Sequence, residues 1–469
     1  MSDVRCEEED VFYEIDTIAS RIQKRCKVDI REQMIGDLYR NAEEIASAVV
    51  SIEDGAVRSV QARIDDVVLS RRFGYPLMIL LLGVIFWLTI IGANVPSAWL
   101  GDVLFETVAT IDEGLLWLGV GGWFHHMVVY GILQCLAWVV AVMLPPMTIF
   151  FTLFTLLEEW GYLPRIAMSL DHLFYRCRAC GKQALTMCMG FGCNAAGVVS
   201  CRIIDPPRER ILAMVTNAFV PCNGRFPTLL LLATLIVGGM SGAGGSDILV
   251  AAVITGIVLM GIGATFLVSR ALADTMLKGT PSTMILELPP YRMPQLRSVL
   301  YRSLWERTRV VLWRAVCVAA PAGMVIWLLT QTTVNDVSLL FFLADILDPF
   351  ARGLGLDGAI LLAFILGIPA NEIVLPILLM IYLATGQMIE VESVREVGQI
   401  FAIQGWDILT LINVSIFCLF HWPCATTLLS VYQESRSIKW TFVAFLLPTV
   451  IGMGICFLIT QGAKLFTLL

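Results

Sequence analysis

Long apolar stretches recur along this 469-residue chain, roughly at 77–93, 127–157, 211–238, 247–269, 310–331, 358–384, 405–432 and 441–463. A membrane-spanning helix needs about 20 mainly apolar residues, so the pattern predicts an all-α polytopic membrane protein. Residues 1–72 differ. They are polar, and "EEEDVFYEIDTIASRIQKRC" and "VRSVQARIDDVVLSRR" place apolar residues three and four apart, the spacing of an amphipathic helix. Four apolar stretches are interrupted: "MCMGFGCNAAG" (187–197), "VPCNGRFP" (220–227), "GIPANE" (367–372) and "HWPC" (421–424). Glycine weakens a helix by about 1 kcal/mol relative to alanine, and proline removes a backbone donor. Such backbone persists at membrane depth only where it is buried in protein or lines a cavity. The interruptions therefore predict broken or re-entrant helices, with Gly190, Gly192, Pro221, Gly367 and Pro423 as hinge or gating positions.

Composition agrees with a membrane reading. The chain is 57% hydrophobic and 15% charged, with mean hydropathy +0.78; soluble domains are nearer 25% charged. A net charge of -7 gives no basic surface for nucleic acid. The acidic N-terminus does not read as a cleavable signal peptide. Thirteen cysteines, mostly in apolar context, read as reduced thiols and not as a disulfide framework.

Charge sets the expected topology. Arg71 and Arg72 precede the first apolar stretch, no Lys or Arg follows until Arg165, and Asp102, Glu106, Asp112 and Glu113 lie between the first two stretches. By the positive-inside rule residues 1–72 are cytosolic and that acidic stretch is an external connection, in a multi-pass protein of the plasma (inner) membrane. Lys182 precedes the first interruption, and Arg202, Arg208 and Arg210 follow it, so both of its ends read as cytosolic: a hairpin entering from inside. Asp336, Asp345, Asp348 and Asp357, then Glu390, Glu392 and Glu396, flank "GIPANE", which reads as a hairpin entering from outside.

The two halves share a register. Gly190 and Asn194 lie 177 residues before Gly367 and Asn371, and "WPCATTLL" echoes "VPCNGRFPTLL". Inverted repeats with broken helices at the midplane characterise secondary transporters. The expected organisation is a helical segment (1–72), a first membrane half (73–286), an arginine-rich amphipathic connector at the cytosolic interface (287–316) and a second membrane half (317–469).

The interruptions also carry chemistry. Cys193 and Asn194, Cys222 and Asn223, Asn371 and Glu372, and Cys424 fall at or beside them. Thiolate, amide oxygen and carboxylate are ligands for first-row divalent metals, with sulfur favouring softer ions over Mg²⁺ or Ca²⁺. A buried cysteine on its own is more often a small hydrophobe; three at repeat-related interruptions weigh towards a metal path. His421 could add a nitrogen. Glu159 ends a span, and Arg225, inside an apolar stretch, is expected to face a cavity or a carboxylate. Cys177 and Cys180 form an isolated C-x-x-C. A permease needs weak, successive sites, so no permanently bound cofactor is expected.

At these residues the sequence resembles the B component of the bacterial ferrous-iron transport (Feo) family. "SRRFGYPLMILL", "LLEEWGYLPRIAM", "MGFGCN", "RERILAMVTNAFVPCNGRFP", "LELPPYRMP", "WERTRVVLWRA" and "WPCATTLL" follow in the family's order, from about Arg71 to the C-terminus. The resemblance implies two gate repeats and Fe²⁺ as the transported ion. It places proposed path cysteines at Cys193, Cys222 and Cys424. "GIPANE" departs from the family's Gly-Phe-x-Ala-Lys-Glu by putting Asn371 where lysine is usual. The family's N-terminal GTP-binding motifs, Gly-x-x-x-x-Gly-Lys-Ser/Thr and Asn-Lys-x-Asp, are not found here, and residues 1–70 resemble only the helical spacer after that domain. The chain is therefore expected neither to bind GTP nor to act as an enzyme. The implied partners are a separate G-protein subunit, small Feo accessory proteins, lipid and further copies of the chain. The rival readings are a gate-repeat transporter of nucleosides or another organic solute, and a non-transporting assembly or sensor subunit.

Overall fold

A computed structural model describes residues 30–49, 60–70, 72–239, 247–278, 291–334, 337–383 and 394–467. The N-terminal stretch 1–29 and the acidic flank with Glu390 and Glu392 lie outside the described residues. The chain divides into two units, Met1–Asp66 and Val67–Leu469. In the first, α1 (Ile30–Val49) is the one complete described element; α2 (Val60–Val68) runs across the boundary.

The second unit is helical and membrane-spanning. Seven helices are long and apolar enough to cross a bilayer among the described residues. They are α3 (Gly74–Trp117), α4 (Trp123–Glu159), the pair α8 (Pro207–Thr216) and α9 (Phe226–Gly238), α10 (Asp247–Asp274), α11 (Leu296–Gln331), the pair α16 (Ile408–Phe420) and α17 (Ala425–Ser435), and α18 (Ile438–Thr467). The acidic stretch after the first apolar run is not a loop. Helix α3 continues through Asp102, Glu106, Asp112 and Glu113 to Trp117, because hydropathy marks where lipid contact ends and not where backbone hydrogen bonding ends. The turn into α4 comes at Gly119 and Gly122, both at positive φ, where glycine carries no Cβ penalty. The arginine-rich 287–316 segment likewise is not separate from the next span: its described part runs into α11 without a break from Leu296.

Two short-helix hairpins are set among these spans. In the first, α5 (Tyr162–Arg176) leads to α6 (Lys182–Gly192) and α7 (Asn194–Ser200); in the second, α12 (Leu339–Gly353) leads to α13 (Gly358–Leu366) and α14 (Val374–Leu383), and the short helix α15 (Val394–Ile403) precedes α16. The stretch 358–384 is thus two helices and not one span. Helices α12 and α13 meet at 110°. The 177-residue register recurs in the capping contacts. Asp171 Oδ1 accepts from the Gly181 N–H at 2.8 Å, and Asp348 Oδ1 accepts from the Gly358 N–H at 3.1 Å. Helices α4 and α11 each contain one π-helical stretch near the N-terminus, Met127–Leu133 and Arg302–Thr308.

Each hairpin returns to its starting level. Lys182 Nζ and Asp205 Oδ2 meet at 2.7 Å, and Tyr382 Oη donates to the Asp357 carboxylate. These two mouths lie at opposite ends of α18. Arg202, beside the first mouth, binds Glu434 through two contacts of 2.6 and 2.8 Å just before α18 begins. Beside the second mouth, the Gly353 carbonyl accepts from Gln461 at 3.4 Å, near the far end of α18. At 1.5 Å per residue the helix from Ile438 to Gln461 spans roughly 35 Å, enough to cross a bilayer core of about 30 Å. The hairpins therefore enter from opposite sides.

Candidate functional site: a cavity between four helix starts

The hairpin tips and the two proline–cysteine breaks converge. Each break is one or two extended residues at a helix start. Cys193 precedes α7 with φ −155°, ψ 122°, and Ala370 precedes Asn371–Ile373 and then α14 with φ −152°, ψ 125°. These positions are 177 residues apart and nearly superimpose in backbone angle. Cys222 (φ −87°, ψ 168°) precedes the turn Asn223–Arg225 and α9, and Cys424 (φ −61°, ψ 157°) precedes α17. All four residues line one cavity. The first N–H groups of a helix have no intrahelical partner, so the breaks leave polar backbone at the cavity wall.

The remaining wall is donor-rich. Asn194, Asn223, Asn371, Glu372 and Thr426 line it, with Met143 and Met147 from α4. Seven residues singled out in the sequence as metal candidates (Cys193, Asn194, Cys222, Asn223, Asn371, Glu372 and Cys424) thus surround one space. Among the described residues, no three His, Cys, Asp or Glu side chains stand close enough to hold a metal ion together, so these groups do not form a closed ligand cage.

Neighbours fix the donors. With the Asn194 amide nitrogen turned to the Gly190 and Val220 carbonyl oxygens, its contacts are 3.0 and 3.2 Å; the Asn217 amide donates to the Asn194 carbonyl at 3.0 Å. The Asn371 amide donates to Cys222 Sγ across 3.8 Å. Its oxygen lies 3.2 Å from His421 Nε2, while His421 Nδ1 lies 2.8 Å from the Cys418 carbonyl oxygen. His421 is buried with both ring nitrogens engaged. It does not line the cavity but orients Asn371, which does. The Ala425 N–H donates to the Ile368 carbonyl at 2.7 Å, tying the second hairpin tip to the second proline–cysteine break.

Three expectations change. Gly190 and Gly192 sit inside regular helix, and Gly367 caps α13 at φ −77°; none uses the freedom of glycine at positive φ. They serve close approach instead. A Cβ on Gly190 would lie 2.4 Å from Asn217 Oδ1, and one on Gly192 would lie 2.1 Å from the Phe150 ring. One on Gly367 would lie 2.3 Å from Val374 Cγ2. The breaks themselves are at Cys193 and at the prolines Pro221 and Pro423. Gly224 lets Glu372 in: a Cβ there would stand 2.2 Å from Oε1. Among the described residues, Arg225 meets no carboxylate. It is buried, and its guanidinium donates to four carbonyl oxygens: Ala218 at 3.2 Å, Leu419 at 2.8 Å, His421 at 3.1 Å and Trp422 at 3.3 Å. Those carbonyls lie beside both proline–cysteine breaks, where the helical ladder ends. Glu159 is away from the cavity; it pairs with Arg302 at 3.5 Å and accepts from the Gln295 N–H at 3.3 Å, clipping the end of α4 to the start of α11. Cys177 and Cys180 are separate thiols outside the spans. Burial pushes Cys180 up to about 11 and raises Cys177 despite Arg270, so neither is a ready thiolate at neutral pH.

Met143, Met147 and Asn217 went unread in the sequence. The signal for the methionines was present in "MLPPM" (143–147), since paired prolines inside an apolar stretch disturb a helix.

Comparison with known proteins agrees with this architecture. A model described as ferrous iron transport protein B C terminus matches residues 254–307. One described as nucleoside recognition, the Gate model, matches 140–236 and 312–437, which include both hairpins and both breaks. The chain is similar to the ferrous iron transport protein B family. It is 26% identical over 474 residues to the Fe(2+) transporter FeoB of Staphylococcus aureus (strain MSSA476), covering 97% of this chain and 67% of the relative. It is 26% identical over 435 residues to the Fe(2+) transporter FeoB of Synechocystis sp., covering 90% and 66%. A Porphyromonas gingivalis Fe(2+) transport protein A/FeoB fusion protein is 24% identical, with 87% of this chain and 52% of the relative covered. The chain thus spans about two thirds or less of these relatives. No solved structure matches it.

Proposed function

We propose that this chain is a permease for ferrous iron or a related divalent transition metal. The observation that carries the reading is the single cavity where four helix starts from both repeats bring sulfur, amide and carboxylate donors together. Cys193, Cys222 and Cys424 offer soft donors, while Asn194, Asn223, Asn371 and Glu372 offer hard ones. A borderline ion such as Fe²⁺ exchanges water for either kind. No complete set closes round it, as an ion that must leave requires. The description of the Gate model favours a second reading, a nucleoside. Against it, among the described residues no aromatic ring lines the cavity to stack a base.

In proteoliposomes of the purified chain, Fe²⁺ uptake is expected, unchanged by excess nucleoside and suppressed by competing divalent transition metals. Uptake of nucleoside but not Fe²⁺ would replace this reading with the second. Absence of both would favour an assembly or sensor role.

The orientation belongs to the same proposal: residues 1–72 and the Lys182–Asp205 mouth face the cytosol, and the Asp357–Tyr382 mouth faces outward. Lys182, Arg202, Arg208 and Arg210 cluster at the former, as the positive-inside rule asks. Single cysteines replacing Lys182 or Asp205 in a cysteine-free background are both expected to be shielded from an impermeant external thiol reagent in intact cells. External labelling of either contradicts that orientation. GTP is not expected to bind this chain; a separate G-protein subunit and small Feo accessory proteins are its expected partners.

A further inference from the structure

We propose that the break in the first hairpin holds a binding site for a small monovalent cation, Na⁺, built from the side chains of Asn194 and Asn217 and the carbonyl oxygens of Gly190 and Val220. One end of the Asn194 side-chain amide lies 3.0 Å from the Gly190 carbonyl oxygen and 3.2 Å from the Val220 carbonyl oxygen. Nitrogen at that end donates to both, and its two protons are then spent. Asn217 Oδ1 still has no hydrogen-bond partner among the described residues, although the side chain is buried, and a buried acceptor without a donor is costly. The Asn217 nitrogen is committed to the Asn194 backbone carbonyl at 3.0 Å. Its oxygen stands against Gly190, where a Cβ would come within 2.4 Å, and against Gly197, where one would come within 2.8 Å. With oxygen at the near end of the Asn194 amide, three oxygens meet and Asn217 Oδ1 stands beside them. A cation among them satisfies all four at once.

The breaks explain why these carbonyls are available. Gly190 lies in the last turn of α6, whose final carbonyl groups lack intrahelical donors and form the negative end of the helix dipole. Val220 is extended (φ −83°, ψ 124°) at the first proline–cysteine break. The second repeat meets the same problem with a resident charge. Trp422 stands before Pro423 as Val220 stands before Pro221, and the carbonyls of Trp422, His421 and Leu419 accept from Arg225. A fixed guanidinium thus neutralises oxygens freed at the second break, while Val220 at the first faces a neutral amide. An exchangeable cation there plays the part that Arg225 plays at the other break. Four neutral oxygens suit a monovalent ion, since hard divalent cations draw carboxylates, and oxygens this closely spaced suit Na⁺ better than the larger K⁺. Unwound carbonyls and the C-terminal ends of half-helices are where secondary transporters place Na⁺. Asn194 also lines the cavity, so a cation bound to it fixes one wall of the passage and couples the Na⁺ gradient to uptake, whichever solute the cavity carries.

The test measures equilibrium binding of radiolabelled Na⁺ to the purified full chain in detergent, at constant ionic strength with choline as the balancing cation. The wild type is expected to bind about one Na⁺ per chain saturably, with K⁺ competing at least about tenfold more weakly. Na⁺ is also expected to raise the unfolding temperature relative to choline, as a ligand of the folded state does. Asn194→Asp separates the two uses of the amide, because it keeps an oxygen and removes the donating nitrogen. It is expected to unfold earlier than wild type in choline, to recover in Na⁺, and to bind Na⁺ about tenfold or more tighter through its added charge. An amide that serves only as a hydrogen-bond donor predicts the same loss in choline and no recovery in Na⁺. Asn217→Ala, which removes one oxygen, is expected to weaken Na⁺ binding at least about tenfold, while Cys317→Ser binds Na⁺ like wild type. In proteoliposomes an inward Na⁺ gradient is expected to raise the initial rate of Fe²⁺ uptake at least about threefold over equal Na⁺ on both sides. No saturable Na⁺ binding by the wild type would overturn the site, as would binding that neither Asn194→Asp nor Asn217→Ala alters. Saturable binding with no effect of the gradient on uptake would overturn the coupling. The binding arm needs no cargo, so a failure of the permease reading leaves Na⁺ binding intact and is told apart from a failure of this site.

Discussion

Replacing Arg225 with alanine is expected to destabilise the membrane unit by more than about 3 kcal/mol, seen as a fall of several degrees in thermal unfolding of the purified protein in detergent. The guanidinium is buried, and its two terminal nitrogens reach four carbonyl oxygens, those of Ala218, Leu419, His421 and Trp422. Three of these contacts join residues almost 200 positions apart, so one side chain stitches the two proline–cysteine breaks to each other. Leaving a buried polar group without a partner costs about 1–3 kcal/mol, and hydrogen bonds to a charged donor are worth about 1.5–3 kcal/mol each. Relaxation recovers part of that sum, which is why the expected loss is below four times the single value. Arg225→Lys keeps the charge but loses the planar fork, and a compact ammonium cannot span carbonyls on both breaks. It is expected to fall between alanine and wild type. Unfolding of Arg225→Ala at the wild-type temperature would show that the breaks hold together without it.

Arg225 also shows where sequence reading stops. Its place in an apolar stretch marked it as buried and paired. The natural partner to expect was a carboxylate, because the carbonyls that bind it become free only when two distant helices are interrupted at the same depth. The breaks themselves were legible, since glycine, proline and asparagine inside apolar stretches cannot continue a lipid-exposed helix. So was the pairing of the halves, which the Asn194–Asn371 register announced. Cys193, Cys222, Cys424 and Glu372 stand out by their position at the breaks and not by any ligand motif, and all four line the cavity.

What was hidden depends on packing across long sequence distance. Gly190 and Gly192 read as hinges, yet they are helical and small so that Asn217 and Phe150 can pass close by. Asn217 sits in "MVTNAFV", where nothing local says that its amide will support the backbone of Asn194. His421 read as a ligand because imidazole often is one; only its neighbours show that its nitrogens face Cys418 and Asn371. Helix α3 outruns its apolar stretch for a different reason: acidic residues end the lipid-facing surface without ending the helix.

The second large effect concerns transport. Each of Cys193, Cys222 and Cys424 opens a helix onto the cavity. Serine preserves size and conformation but exchanges a soft donor for a hard, weaker one. Cys317 is exposed on the surface of α11 and is absent from the cavity lining, so Cys317→Ser is the control; Cys456 serves less well, because its thiol donates to the Asn413 carbonyl at 3.4 Å. The most direct measurement is the initial rate of Fe²⁺ uptake into proteoliposomes holding equal amounts of folded wild type, the three cavity variants and the control. The account predicts that Cys193→Ser, Cys222→Ser and Cys424→Ser each lower the rate by about tenfold or more, as loss of one soft ligand from a weak site should, while Cys317→Ser matches wild type. Wild-type rates in all three cavity variants would contradict it and place the ion's route elsewhere in the molecule.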